Sequence, residues 1–477
     1  MAIFSKNIDM LNGTIWDKMV VFAIPLALTG VLQQLYNLAD VAVLGHFVSN
    51  EAVAAVGTNV PIVGLIVAFC IGLSIGANVV VARYLGMRKY DDASRAVHTA
   101  FATAVIFGVI AMIIGELCSS ILMVWMQVPP NVVRHSEIYL QMYLLGMPFI
   151  SIYNFLSAVL RSQGDTQTPL WALCIASVFN ALGDLFVVTV VDWGIGGVAL
   201  MTALANLLAS GILVYKLMRT DGPLRLYPNR LFKMDKKALR SMIKIGWPAG
   251  LQSSVFSLSN LIIQSAINSL GADVMAASVA AFTIEINCYC VINGFGLAAT
   301  TFISQNYGAG NLERCKRITR VNMALNIGIT VVLSVLIYGF GRYLLGFFTQ
   351  SEEIISLGMI RLLWVVIPEP LNSVMEVLSD SMRGYGYSLP PAIITVVVIC
   401  TIRIVWVYSV FAAKPTYEIL MMVYPLSWLV TSICLTFLYF RFMKKLPAKR
   451  CRTAVKKNSD GGIILHLNFS TSSINAL

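Results

Sequence analysis

Long apolar runs, separated by short polar and often basic segments, fill most of the chain. About 20 apolar residues span a bilayer as a helix. Runs of that length or more lie near 15–43, 52–82, 94–123, 136–160, 168–191 and 195–218. A second set lies near 242–268, 273–305, 318–347, 355–382, 389–411 and 417–443. The pattern predicts an all-α integral membrane protein with about twelve transmembrane helices. Composition agrees: of 477 residues, 58% are hydrophobic and 12% charged, about half the charged share of a soluble globular chain. The first run is too long, and too poor in a small-residue cleavage site, for a removable signal peptide.

The two sets of runs repeat one another. Arg161 and Arg383, Gly164 and Gly386, and Pro169 and Pro391 each stand 222 positions apart. So do Gly72 and Gly294, Gly86 and Gly308, and Arg95 and Arg317, while Pro25 and Pro248 stand 223 apart. The chain therefore reads as two copies of a six-helix unit. Six is even, so both copies enter the membrane from the same side, as in parallel repeats related by an axis along the membrane normal. The expected organisation is a six-helix lobe over 1–218, a basic linker over 219–241, a second lobe over 242–445 and a basic, polar tail over 446–477, expected to be flexible. Two bundles around a midplane cleft suit alternating access.

Charge in the loops gives the orientation. Arg83, Arg88, Lys89 and Arg95 lie between runs two and three, nine Lys and Arg residues between Lys216 and Lys244, and Arg314, Lys316, Arg317 and Arg320 between runs eight and nine. The intervening loops GHFVSNE, VDWG and SLGADV are poor in both. By the positive-inside rule the basic loops and both termini are cytoplasmic. The net charge of +11 is then a topology signal and an attraction to anionic lipid headgroups. Spread over separate loops, it excludes a nucleic-acid partner. The nine cysteines are scattered, and Cys288 and Cys290 lack metal-ligand spacing; they read as small apolar side chains.

A few polar residues stand out inside the apolar runs. Asp40 shares a helix face with Tyr36 and Asn37; Asn180 and Asp184 are four apart on helix five, and Thr202 and Asn206 four apart on helix six. A charge at the bilayer centre costs at least about 2.5–3.5 kcal/mol, so such residues are usually paired or functional. Two neighbouring carboxylates could exchange a proton or hold Na⁺; bonding between helices is the alternative. The second half differs: it carries Glu285 on helix eight, Glu369, Glu376 and Asp380 on helix ten, and Arg403 on helix eleven. Glu285 is a candidate substrate ligand with Tyr36, Asn37 and Asn206. Glu376 and Asp380 fall near the basic end, where they form a solvated mouth or a site, and Arg403 is a candidate to neutralise one of these acids.

The segments PLALTGVLQQLYNLAD (25–40), LGHFVSNEAVAAVG (44–57), ARYLGMRKYDDASR (82–95), LRSQGDTQTP (160–169), SVFNALGDLFV (177–187), SQNYGAGNLERCKR (304–317) and MRGYGYSLPP (382–391) resemble the multidrug and toxic compound extrusion (MATE) family. Within it the chain is similar to the DinF-like branch, since its acidic cluster falls in the first half. The resemblance covers about residues 10–445. It implies two six-helix lobes in a V, in the cytoplasmic (inner) membrane, and secondary active export of cationic or amphipathic compounds in exchange for H⁺ or Na⁺. It also implies a coupling-cation site at Asp40, Asn180, Asp184 and Thr202, with no cofactor and no other metal. The NorM-like type places key carboxylates in the second half instead; Gln252 stands here where an acid would be expected. A monomer is the default expectation.

Other functions fit less well. A flippase for a lipid-linked precursor, of the related superfamily, is the alternative, but it calls for a cationic cleft, and the buried charges of the first half are acidic. Asp91-Asp92 has no second Asp-rich motif to face, which argues against an intramembrane enzyme. GFGLAAT (294–300) follows no strand and lies in an apolar run, so helix packing accounts for it better than a nucleotide loop. Nothing resembles a channel filter.

Overall fold

The computed structural model describes residues 8–126 and 128–446, with the backbone of 454–457 and 463–466. Its regular elements are helices apart from those two segments, Ala454–Lys457 and Ile463–His466, which pair antiparallel. The rest of the tail expected to be flexible, beyond Leu446, lies outside the described residues.

Helices 1 to 3 span Trp16–Phe47, Asn50–Gly86 and Tyr90–Trp125. Helix 4 comes in two pieces, Pro130–Leu144 and Met147–Gln163, bent by 45° at the break. Pro148 explains the break: it has no N–H to give and its ring crowds the carbonyl of Leu144. Helices 5 and 6 are Gln167–Thr189 and Gly194–Arg219. The second set is helix 7 (Lys236–Asn268), 8 (Ala272–Gly308), 9 (Leu312–Gly339), 10 (Glu352–Gly384), 11 (Leu389–Phe411) and 12 (Tyr417–Lys445). Helix 10 widens into a π turn over Leu362–Val366, just after Arg361.

Ten of these helices, or eleven with the bent helix 4, are long and apolar enough to cross a membrane. Helix 7 is long enough but too polar. It carries Gln252, Ser253, Ser254, Ser257, Ser259, Asn260 and Gln264. Ser253 and Ser257 return their hydroxyls to carbonyls one turn back, at Ala249 and Ser253. Ser254 donates to Leu65 O of helix 2 at 3.3 Å. The polar face is thus used for packing against neighbours.

Helices 1 and 7 change partners along their length. Met19, Phe22, Ala23 and Leu26 of helix 1 join the core of the second half, with Phe22 edge-on to Phe302 at 5.4 Å. Farther along, Leu44 joins the first-half core. Helix 7 does the reverse: Ala238, Met242 and Ile245 pack in the first-half core, and Ile263, Ala266 and Ile267 in the second. Pro248 falls in the crossover of helix 7, between Ile245 and Ile263, and Pro25 just ahead of that of helix 1, beside Leu26; at each a missing backbone hydrogen bond lets the helix bend.

The seam between the halves is made of small residues. Gly72 and Gly76 of helix 2 meet Ala249, Gly250, Gly246 and Met242 of helix 7 backbone to backbone, the close approach that glycine permits in membrane helices. Gly294 meets Ala23 and Ala27 in the same way. At the basic end the contact is reciprocal. Gly86 lies on the Gln305 carbonyl and Gly308 on the Arg83 carbonyl. These are equivalent positions of the repeat, so its two-fold axis runs between them. Thr301 Oγ1 donates to Asn78 Oδ1 at 3.0 Å and Gln305 Nε2 to Ser162 O at 3.0 Å. Arg83 stacks on Tyr307, 5.2 Å from the ring centroid.

Candidate functional site

Helices 1, 5 and 6 bring the four expected cation-site residues together, toward the helix ends away from the basic loops. Asp40 lies seven residues from the end of helix 1 and Asp184 five from the end of helix 5, about 10 Å and 8 Å along their axes. Thr202 comes eight residues after the start of helix 6. Thr202 Oγ1 donates to Asp40 Oδ2 at 3.1 Å, and Asn180 Nδ2 to Asp184 Oδ1 at 3.3 Å. The carboxylates of Asp40 and Asp184 lie within hydrogen-bond reach of each other.

All four side chains are at most 3% exposed, so bulk water does not answer them. Three oxygens of the cluster, Asp40 Oδ1, Asp184 Oδ2 and Asn180 Oδ1, are buried and accept no hydrogen bond. Two adjacent carboxylates out of water cannot both stay bare anions. A proton shared between them, or a hard cation held by the free oxygens, meets the need; oxygen donors of this kind suit such an ion.

The remaining candidates divide. Tyr36 joins the cluster through its hydroxyl, which donates to Thr202 O at 3.4 Å. Asn206 turns its amide back to Thr202 O at 2.9 Å, supporting helix 6 one turn from the site. Asn37 is exposed and is not part of the hydrogen-bonded cluster. Tyr139 and Tyr143 of helix 4 lie close enough to feel the charge of Asp40, their rings 6.1 Å apart. Sequence reasoning missed this tyrosine pair. Its i, i+4 spacing on the polar helix 4 was the available signal.

Glu285 lies elsewhere, in the second half. Arg361 grips it with Nε to Oε2 at 2.9 Å and Nη2 to Oε1 at 2.6 Å, and gives Nη1 to Ser278 at 2.6 Å. Its charge is answered within the bundle, in the bidentate geometry that arginine favours. Arg403, expected to neutralise an acid, instead donates to Ser259 and Asn260 at 3.3 and 2.6 Å. It stacks on Phe256 and Tyr424 at 5.0 and 4.7 Å. Asp380 is no solvated mouth: it is buried, paired with Arg383, which also reaches Gln252 at 3.0 Å. Glu369 takes a hydrogen bond from Asn372 at 2.9 Å.

Comparison with known proteins follows the same lines. The MatE family model matches twice, over residues 25–186 and 248–409, two stretches separated by the repeat interval. The probable multidrug resistance protein YoeA of Bacillus subtilis is 28% identical over 440 residues, covering 91% of this chain and 95% of that protein. The probable multidrug resistance protein NorM of Thermotoga maritima is 25% identical over 392 residues, covering 81% and 84%. Among solved structures, an outward-facing multidrug resistance MATE family transporter of the MOP superfamily superposes with a TM-score of 0.84 at 22% identity, covering 92% of this chain and 98% of that one.

Proposed function

The chain belongs to the MatE family of membrane transporters, and on that premise we propose that it exports cationic or amphipathic compounds in exchange for H⁺ or Na⁺ by alternating access. It is a multi-pass membrane transporter rather than an enzyme. In this reading the basic face is cytoplasmic, as the positive-inside rule requires. The observation that carries it is the group of three buried oxygens, on Asp40, Asp184 and Asn180, that accept no hydrogen bond.

The cycle follows from differential affinity. Among the described residues, the hydrogen bonds that join the halves lie between the middle of the seam and the basic face, which supports a cleft that opens away from that face. An external H⁺ or Na⁺ reaches Asp40 and Asp184 and removes the repulsion between them. Thr202 holds Asp40 Oδ2, and Asn180 orients Asp184. Neutralising the pair withdraws the negative field that retains a cationic compound and lets helix 1 repack beyond Pro25. An ion changes the balance of the two states only by its difference in affinity for them. Tyr36, Tyr139 and Tyr143 supply aromatic faces for a cation.

The test is uptake of ethidium into inverted vesicles, whose cytoplasmic face points outward, under an imposed pH gradient, then an imposed Na⁺ gradient. Export under one gradient supports the reading and names the ion. No export under either refutes it and favours a flippase for a lipid-linked precursor.

A further inference from the structure

We propose that residues 8–15, ahead of helix 1, are a strap that locks the cytoplasmic face shut, with Arg314 as its keeper. The inference rests on the alternating-access reading and adds a gate to it.

The segment is folded in its own right. Asp9 Oδ1 accepts from Leu11 N and Asn12 N at 2.9 and 3.2 Å, and Asp9 Oδ2 from Asn12 Nδ2 at 3.0 Å. Lys18 Nζ closes the turn on Asp9 O and Asn12 O at 2.8 and 2.7 Å. Met10 and Ile15 are buried in the core of the second half.

Arg314, in the first turn of helix 9, spends its whole guanidinium on this segment. Its Nε donates to Met10 O at 3.3 Å, Nη2 to Asn12 O at 3.1 Å and Nη1 to Gly13 O at 2.9 Å. Asn306 Nδ2 adds a bond to Met10 O at 3.0 Å. Three carbonyls held by one planar fork make an anchor that lysine cannot copy. The anchor belongs to the second half. The other side of the strap touches the first: a Cβ built on Gly164 would lie 2.7 Å from Ile8 N and 2.8 Å from Ile8 O. Gly164 ends helix 4 with φ +101°, so glycine suits both the turn and the contact. Next to it, Gln305 bridges to Ser162 O. The strap therefore covers the reciprocal crossing where the halves touch.

The repeat supplies a counterpart. The linker ahead of helix 7 is tied to helix 3 of the first half: Tyr227 N donates to His98 Nε2 at 3.0 Å and Asp235 N to Thr99 Oγ1 at 2.9 Å. Each half thus has its leading segment anchored on the third helix of the other. Opening toward the cytoplasm must carry residues 8–15 away from Gly164 along with helix 9.

The test places a cysteine at Ser162, buried beneath the crossing. It measures labelling by a membrane-impermeant maleimide in inverted vesicles, against the same protein lacking that cysteine. Without drug or gradient, Arg314→Ala should speed labelling roughly tenfold, since charged hydrogen bonds hold the closed state. Arg314→Lys should fall between it and the parent, and carries the test if Arg314→Ala fails to reach the membrane. Unchanged labelling in both Arg314→Ala and the double variant Asn306→Ala/Arg314→Ala overturns the strap. Ethidium uptake by the same vesicles tests the transport reading separately, so the two can fail independently.

Discussion

Adding a single methyl group at Gly86 is the sharpest perturbation of the seam. A Cβ there would fall well inside 3.0 Å of the Gln305 carbonyl, on backbone that cannot swing aside. An ordinary contact needs about 3.5 Å, so helices 2 and 8 must part by about 1 Å or more. Overpacking of this kind costs about 1–3 kcal/mol, which weakens the closed state about 5- to 150-fold. The reciprocal contact makes the prediction stricter. Gly308→Ala presses on the Arg83 carbonyl and should have the same effect, because the two positions are equivalent about the two-fold axis. Spin labels at exposed Lys89 and Asn311, read by double electron–electron resonance in liposomes, would report the separation of the basic ends. Each glycine variant should shift the population toward longer distances and slow drug export. If either variant keeps the parent distribution, the seam is not the closed gate. If Gly86→Ala opens the seam and Gly308→Ala does not, the symmetry argument fails.

Other outcomes follow from single contacts. Arg361→Met strands Glu285 inside the bundle and should cost about 3–5 kcal/mol, whereas Glu285→Gln/Arg361→Met should regain most of it, as unfolding temperatures in detergent would show. Asp235 caps helix 7 by accepting from Lys237 N and Ala238 N, both at 2.8 Å; Asp235→Ala should lower stability by about 1 kcal/mol and Asp235→Asn by less, measured the same way. Thr202→Val removes the bond to Asp40 Oδ2 and should weaken coupling-ion affinity by about fivefold, worth about 1 kcal/mol, in ion titrations of export.

Much of the architecture is written in the hydrophobic pattern, because a bilayer forces every span to be long and apolar. That is why the runs near 52–82 and 389–411 fall within helices 2 and 11. The repeat was legible because its crossing demands glycine, at Gly86 and Gly308, where side chains cannot fit. Asp40 and Asp184 were legible because a carboxylate is too costly in an apolar run to sit there without a partner or a task, and their i, i+4 partners name their helices. What escaped was pairing over long separations. Nothing local says that Glu285 meets Arg361, 76 residues on, or that Arg403 settles on aromatic rings. Helix 7 is polar because Ser254 bonds to helix 2 and Gln252, Ser259 and Asn260 take hydrogen bonds from Arg383 and Arg403, which hydropathy cannot foresee. The exchange of partners by helices 1 and 7 leaves only two prolines as its trace. The strap leaves none, since its acceptors are backbone carbonyls that any sequence carries.

The central claim is that the unanswered oxygens of Asp40, Asp184 and Asn180 hold the coupling ion. The most direct measurement is ion uptake by purified protein: ²²Na⁺ binding, and proton release or uptake on a pH jump, for wild type and for Asp40→Asn/Asp184→Asn. The account predicts that wild type takes up one of the two ions in a saturable way and that the double variant, folded and stable, takes up neither at this site. Equal saturable uptake by both proteins would contradict it and move the coupling site out of the first half.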